Sequence, residues 1–293
     1  MSKSFALFFT RRFLVWAGCA CWVVALCQFA LCAAVAPTVN GSNRSFADLR
    51  ESAAKGDAIA QRLVANAYLA GDGVNKDVTE ALKWLRLAAE QHDPPSEFTL
   101  GILYDEGRGL PRDVREAVKW YERAAVAGLS DAQFNLADCY VKGEGVPMDM
   151  KKACDWFRRA AEQGDGPSQA RLGLAYVSGK GVERDINEAV KWFRSAAYPP
   201  HNIATAQYYL GRLYQEGEGV PQDMEYAYAW YSVSAHIGNV KADAAMHAAA
   251  AKLAPAEMQS ASLLSTDLIQ KYGTVPESTS QALGPTAAPK SPD

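Results

Sequence analysis

The residues of this chain whose types and spacing could do chemistry are five Gly-x-Gly pairs, an aspartate four residues after each pair, four histidines and two isolated cysteines. A glycine loop cradles phosphate when it leads from a strand into a helix and ends in Lys and a hydroxyl residue, so that backbone N–H groups and an ammonium converge on the anion. None of Gly71/Gly73, Gly107/Gly109, Gly143/Gly145, Gly179/Gly181 and Gly217/Gly219 continues into Gly-Lys-Ser/Thr, and none follows a strand pattern. They read as turns. His92, His201, His236 and His247 are scattered, with no His-x-x-x-His or Cys-x-x-Cys spacing of the kind zinc sites use. No Gly-x-Ser-x-Gly elbow occurs, and no Ser, His and acid stand out as a triad. The chain therefore reads as a non-enzyme with no catalytic residue, cofactor or metal.

The same residues make sense as the punctuation of a repeat. The phrase Tyr-x-x-Gly-x-Gly-Val/Leu-x-x-Asp-x-x-x-Ala-x-x-Trp-x-x-x-Ala/Ser-Ala occurs five times, its tyrosines (Tyr68, Tyr104, Tyr140, Tyr176, Tyr214) spaced 36, 36, 36 and 38 apart. Before each Tyr, a Leu or Val four residues back and an Ala or Gly three back put one large and one small residue on a single helical face. The small one admits a neighbouring helix. The first Gly stops that helix and the second supplies a left-handed turn at no Cβ cost. The Val or Leu after it plugs the gap between the helices. Asp77, Asp113, Asp149, Asp185 and Asp223 are placed to cap the second helix. Glu80, Glu116 and Glu188, three residues on, predict capping boxes. Trp84, Trp120, Trp156, Trp192 and Trp230 and the Ala pairs share the following helical face, so the tryptophans and tyrosines are expected in the core. Gly128, Gly164 and Gly238 close three second helices. Pro94/Pro95 and Pro199/Pro200 are expected to break the chain after the other two.

A helix pair cannot bury its apolar face alone, so neighbours must stack. The expected fold is all-α, a right-handed superhelical α/α solenoid of five helix-pair repeats with capping helices, spanning 46–272. The repeats run about 57–92, 93–128, 129–164, 165–201 and 202–238. Phe46 to Lys55 reads as an isolated second helix. The segment 239–272 reads as a C-terminal cap, a terminal helix pair without the glycine loop, and 273–293 as a disordered tail.

The N-terminus is of another kind. Lys3, Arg11 and Arg12 precede an uncharged run from Phe13 to Ala36, long enough to span a bilayer. Residues 1–36 read as a cleaved signal peptide or a retained membrane anchor, followed by a linker over 37–45. Either way the basic residues stay cytoplasmic and the body is exported through the inner membrane, to be periplasmic or secreted. A net charge of -3 over 293 residues offers no basic field for nucleic acid or an anionic membrane surface. Four of the six cysteines lie between Cys19 and Cys32, which leaves Cys139 and Cys154 as the one pair in the body. They are expected to be free, since helix-pair geometry does not guarantee the separation a disulfide needs.

The repeated phrase resembles the Sel-one-like repeat, a branch of the tetratricopeptide-repeat-like superfamily, over roughly residues 46–272. The resemblance implies a superhelical scaffold for protein–protein interaction, often exported in bacteria. It also implies two alternatives: an anchored periplasmic regulatory or structural component, or the β-lactam binding or hydrolysis proposed for cysteine-rich relatives. Those relatives carry a disulfide in each repeat, whereas only the Tyr140 repeat has two cysteines here.

In such a solenoid the first helix of each repeat lines a concave groove, and its positions outside the motif are candidates to touch a protein or peptide partner. Counting six and two residues before each Tyr and two after it gives Arg62, Asn66 and Ala70; Phe98, Ile102 and Glu106; Phe134, Asp138 and Lys142; Ala170, Leu174 and Ser178; and Tyr208, Arg212 and Glu216. The position five before Tyr adds Asn135, Arg171 and Tyr209. Aromatics beside arginine are frequent hot-spot types.

Overall fold

The computed structural model describes residues 45–273, as thirteen helices with no strand among them. Helix α1 (Phe46–Ala54) is followed by five pairs: α2 and α3 (Ala58–Ala70, Val78–Glu90), α4 and α5 (Pro94–Glu106, Val114–Val126), α6 and α7 (Ser130–Lys142, Met150–Glu162), α8 and α9 (Gly166–Ser178, Ile186–Ala197), α10 and α11 (Ala204–Glu216, Met224–His236). Then come α12 (Val240–Ala250) and α13 (Pro255–Tyr272). The two helices of a pair pack on each other and the second packs on the first helix of the next pair, so the core is a series of linked clusters rather than one centre. This is the expected α/α solenoid. The N-terminal apolar run, the linker up to residue 44 and the tail from residue 274 lie outside the described residues. No helix among those described is long and apolar enough to cross a membrane.

Each glycine loop carries two left-handed residues, not one. Gly71, Gly107, Gly143, Gly179 and Gly217 end the first helices at φ between 67° and 79°. The second glycine is also left-handed, and from the second repeat onward its missing Cβ is a seat. A Cβ at Gly109, Gly145, Gly181 or Gly219 would lie 2.2–2.7 Å from the first turn of the preceding repeat's second helix. The loop thus links repeats as well as helices.

The aspartates cap as expected: Asp77, Asp113, Asp149, Asp185 and Asp223 each accept from N–H groups in the first turn of a second helix. The reciprocal half of the box is not made. The N–H of each Asp instead donates to the carbonyl of its own repeat's motif tyrosine, as from Asp77 to Tyr68 at 3.0 Å and from Asp113 to Tyr104 at 2.9 Å. With that donor taken, Glu80, Glu116 and Glu188 pair with Lys83, Lys119 and Lys191 on the helix surface.

The prolines do not simply break the chain. Pro94 opens α4 at its first turn, where its missing N–H costs nothing, behind the Asp93 cap. His92 (φ 59°) takes the left-handed position that Gly128 and Gly164 fill elsewhere. The two extra residues of the fourth repeat are absorbed between α9 and α10, where Asn202 is left-handed and the Ile203 N–H reaches the Ala196 carbonyl at 2.8 Å.

The tryptophans are not the deepest residues. Trp84, Trp120, Trp156 and Trp192 are half-buried, and so are all the motif tyrosines but Tyr68. The buried position is the one after Trp: Leu85, Tyr121, Phe157, Phe193 and Tyr231. It lies eight residues after the Asp, between the Ala at four and the Ala pair, and so centres the buried stripe; Trp, one residue earlier, sits about 100° round the helix. The small residue of the first helix faces this ring, and a Cβ at Gly101, Gly173 or Gly211 would lie 2.5–2.7 Å from it.

The C-terminal cap departs from the expected helix pair. Helices α12 and α13 both pack on α11 rather than on each other. The alanine-rich α12 buries only Ala242 and Ala249 and offers little apolar face. Helix α11 buries Ala227 and every residue from Ala229 to Ser234, so it needs cover on more than one side. Leu264, Leu268, Ile269 and Tyr272 of α13 give it, and Trp230 is for that reason the one deeply buried motif tryptophan.

A buried glutamine near the start of four of the five first helices ties successive repeats. Gln61, Gln133, Gln169 and Gln207 donate from Nε2 to the Ala53, Ala125, Ala161 and Ala197 carbonyls of the preceding helix at 3.0–3.2 Å. The Oε1 atoms of Gln61 and Gln133 accept from Gln91 and Gln163, thirty residues on, both at 2.8 Å. For Gln169 and Gln207 the residues at that spacing are Pro199 and Ile237, and their Oε1 atoms are unpaired. In the second repeat the slot holds Glu97, 2% exposed, and Arg123 spans its carboxylate (2.8 Å) and the Ala89 carbonyl (2.9 Å).

Burial raises the Glu97 carboxyl above its ordinary range, against the pull of Arg123 and His92. A carboxyl raised by folding contributes stability that is fully present below its unfolded pKa, about 4.3, and is lost as pH rises through the folded value. Glu97→Gln is therefore expected to become the more stable form relative to wild type between pH 4 and pH 7, as urea midpoints at several pH values would show. A constant difference across that window would rule this out.

Cys139 and Cys154 are buried and free. They face opposite neighbours: Cys139 packs with Val118 and Tyr121 of the repeat before, and the Cys154 thiol donates to the Lys180 carbonyl of the repeat after, at 3.4 Å. Burial pushes the Cys139 thiol up to about 11. Iodoacetamide at pH 8 is expected to spare both in the native protein and to label both in denaturant without reductant, as read by peptide mapping. Labelling that requires reductant would show a bridge.

Candidate functional site

Candidate binding positions lie on the face made by the first helices, where α8 touches α10 and α10 touches α12. In the first two repeats most of them are committed to the fold. Arg62 pairs with Asp93, the cap of α4, at 3.1 Å. Phe98 lies 5.8 Å from the Tyr121 ring, and Ile102 packs in the same cluster. Glu106 is exposed and pairs with Arg108 at 3.3 Å. Asn66 is half-buried and Ala70 exposed.

The later repeats are different. Phe134 covers Phe157 at 5.7 Å, and Asn135 is half-buried. Asp138 holds Lys142 at 2.5 Å and reaches Arg171 of the next repeat at 3.7 Å. Arg212 pairs with Glu216 at 2.8 Å and lies over the Tyr209 ring. Tyr208 packs on Tyr231 at 5.6 Å. Exposed pairs of this kind contribute about 0–1 kcal/mol and yield readily to a partner.

Three cavities adjoin here, all lined by Leu174. One of ≈550 Å³ lies between Tyr208, Tyr209 and the start of α12. A second of ≈320 Å³ lies between Phe134, Ala170 and Thr205. A third of ≈290 Å³ runs past Arg171 and Ser178 to Cys154. The structure thus brings Phe134, Arg171, Leu174, Tyr208 and Tyr209 to one trough and leaves Arg62, Asn66, Phe98, Ile102 and Glu106 outside it. Sequence reasoning missed Pro167, Thr205 and Lys241, which also line the trough. All three are the second residue of a helix facing this side, and counting from helix starts finds them. Counting back from Tyr cannot reach Lys241, because α12 has no motif tyrosine. Among the described residues no cluster of three or more His, Cys, Asp or Glu is placed to hold a metal.

A family model described as Sel1 repeat matches residues 58–93, 94–129, 130–165, 166–198 and 204–239, more than half of the chain. The chain belongs to the Sel1 repeat family. The matches follow the helix pairs, and the gap at 199–203 falls on the enlarged loop after α9. Proteins built of Sel1 repeats generally mediate protein–protein interaction and are mostly non-catalytic. Among solved structures, a Sel1 repeat protein from Oxalobacter formigenes is 30% identical, with a TM-score of 0.64, covering 76% of this chain and 98% of its own. The protein c5321 of uropathogenic Escherichia coli, a protective antigen with the same repeat fold, is also 30% identical, with a TM-score of 0.57. That match covers 85% of this chain but only 61% of the antigen's length. No curated protein matches the chain in sequence.

Proposed function

We propose that this Sel1 repeat protein is an exported, non-catalytic scaffold that binds a segment of a protein partner along the concave face of its first helices, chiefly over repeats three to five. The run of adjoining cavities around Leu174 carries the reading, because a continuous apolar trough between repeats is what an extended segment fills. Export rests on the basic residues ahead of the apolar run from Phe13 to Ala36. The membrane contact it implies is confined to that segment. The protective antigen among the similar structures is in keeping with a life outside the cytosol.

Two measurements test it. Fractionation with N-terminal sequencing is expected to find the repeats beyond the inner membrane, attached or processed; repeats in the cytosol would overturn export. For binding, the full chain captures a partner under crosslinking, and the partner is titrated against wild type and the double variant Phe134→Ala with Arg212→Glu. Affinity is expected to fall at least tenfold, about 1.4 kcal/mol. Unchanged affinity removes the face assignment.

A further inference from the structure

The repeats serve as controls for one another, and the fourth lacks a ring that the second, third and fifth carry. Six residues before the motif Tyr, Phe98, Phe134 and Tyr208 each lie over the buried ring of their own second helix at 5.6–5.8 Å. In the fourth repeat that residue is Ala170, although Phe193 beneath it is as large as the rings of the other repeats. Tyr209 of the next repeat stacks on Phe193 instead, at 5.3 Å and 8°. What the absent ring leaves over is the ≈320 Å³ cavity at Ala170, which shares Leu174 and Thr205 with the larger cavity. A closed cavity of about 150 Å³ already holds benzene, so the space takes an aromatic side chain.

The charge around it has one sign. No Asp or Glu lines any of the three cavities, whereas Arg171, Lys180 and Lys241 do. Arg171 is the first-helix cation of this repeat, about half exposed and held only by Asp138 at 3.7 Å. Lys241 has no ion pair among the described residues. Cations on an apolar trough whose walls carry no acid favour an anionic ligand and select against a basic one.

We propose that the segment taken by this trough carries an aromatic side chain that fills the vacant ring position over Ala170, flanked by carboxylates that meet Arg171 and Lys241. The proposal rests on the concave-face reading and gives it a ligand chemistry: an acidic, aromatic peptide. Arginine presents a planar fork to a carboxylate, and the apolar walls of the trough limit competition from water.

The test is isothermal titration of the full chain with three capped peptides, Gly-Ser-Asp-Phe-Asp-Ser-Gly and its counterparts with Lys-Phe-Lys or Asp-Ala-Asp at the centre. The first is expected to bind at least tenfold more tightly than either counterpart. Ala170→Phe, which supplies the ring that the second, third and fifth repeats carry, is expected to lose that binding tenfold or more. Arg171→Glu, on a half-exposed side chain, is expected to do the same with an unchanged Tm, which keeps the test open should the phenylalanine disturb packing. Equal binding of the acidic and basic aromatic peptides, still lost in Ala170→Phe, would overturn the acidic partner and leave the concave-face reading standing. Binding of the first peptide that neither variant alters would overturn the ring position. Absence of binding by all three would overturn the inference, and the titration of the captured partner would then decide the broader reading by itself.

Discussion

Gly181→Val is expected to destabilise the protein by about 2–5 kcal/mol, the sum of a left-handed backbone that costs a side chain about 1–2 kcal/mol and an overpacked seat that costs about 1–3. The glycine has φ +79°, and a Cβ on it would meet the Met150 carbonyl oxygen at 2.2 Å and the Cys154 sulfur at 2.9 Å. Gly179→Val, in the same loop, separates the two causes. Its φ is +67°, but its Cβ would meet nothing closer than 3.4 Å. It should therefore lose little beyond the backbone cost. Urea unfolding of both variants measures the difference; equal losses would mean that the seat on α7 contributes nothing. A solenoid is held by nearest-neighbour interfaces, so a damaged seat between the third and fourth repeats is also expected to lower the m-value by splitting the transition.

The second large effect is at Phe193. It is fully buried between Gly173 and Tyr209, and Phe193→Ala is expected to cost about 3–5 kcal/mol. The adjacent Trp192 is the larger side chain and the motif residue, yet it is half-buried, so Trp192→Ala should cost clearly less. Thermal unfolding of the two variants gives the order. If the tryptophan variant melts first, the buried stripe of α9 has been centred one residue too late.

The order expected at Phe193 and Trp192 shows where reading the sequence stops. Period, loop glycines, caps and the small–large face before each tyrosine follow from local chemistry, and helix existence and pairing were legible from them. What a repeat shares with its copies is easy to see. The depth of each position was harder, because a difference of one residue rotates a side chain by about 100° around the helix, and the invariant tryptophan draws attention from the variable ring beside it. Glu97 was overlooked for a related reason. Only the glutamines at the same position, buried and bonded to the preceding helix, show that a carboxylate there lies inside.

The binding face was legible as a helix face and not as a site. Counting from the tyrosines found Phe134, Arg171, Leu174, Tyr208 and Tyr209 but could not tell them from Arg62 or Phe98, which line none of the three cavities. The difference lies in neighbours thirty or more residues away. Ala170 is an unremarkable alanine until Phe193 and Tyr209 are placed around it.

The sequence alone determined the repeat, the helix pairs, their turns and caps, and the all-α solenoid, because each depends on residues within one turn or one repeat of each other. Tertiary structure alone decided that α13 doubles back to cover α11, that Cys139 and Cys154 face apart, and that the trough opens where the fourth repeat lacks a ring. Those outcomes depend on which surfaces remain uncovered once the helices have stacked, a quantity that no local spacing encodes.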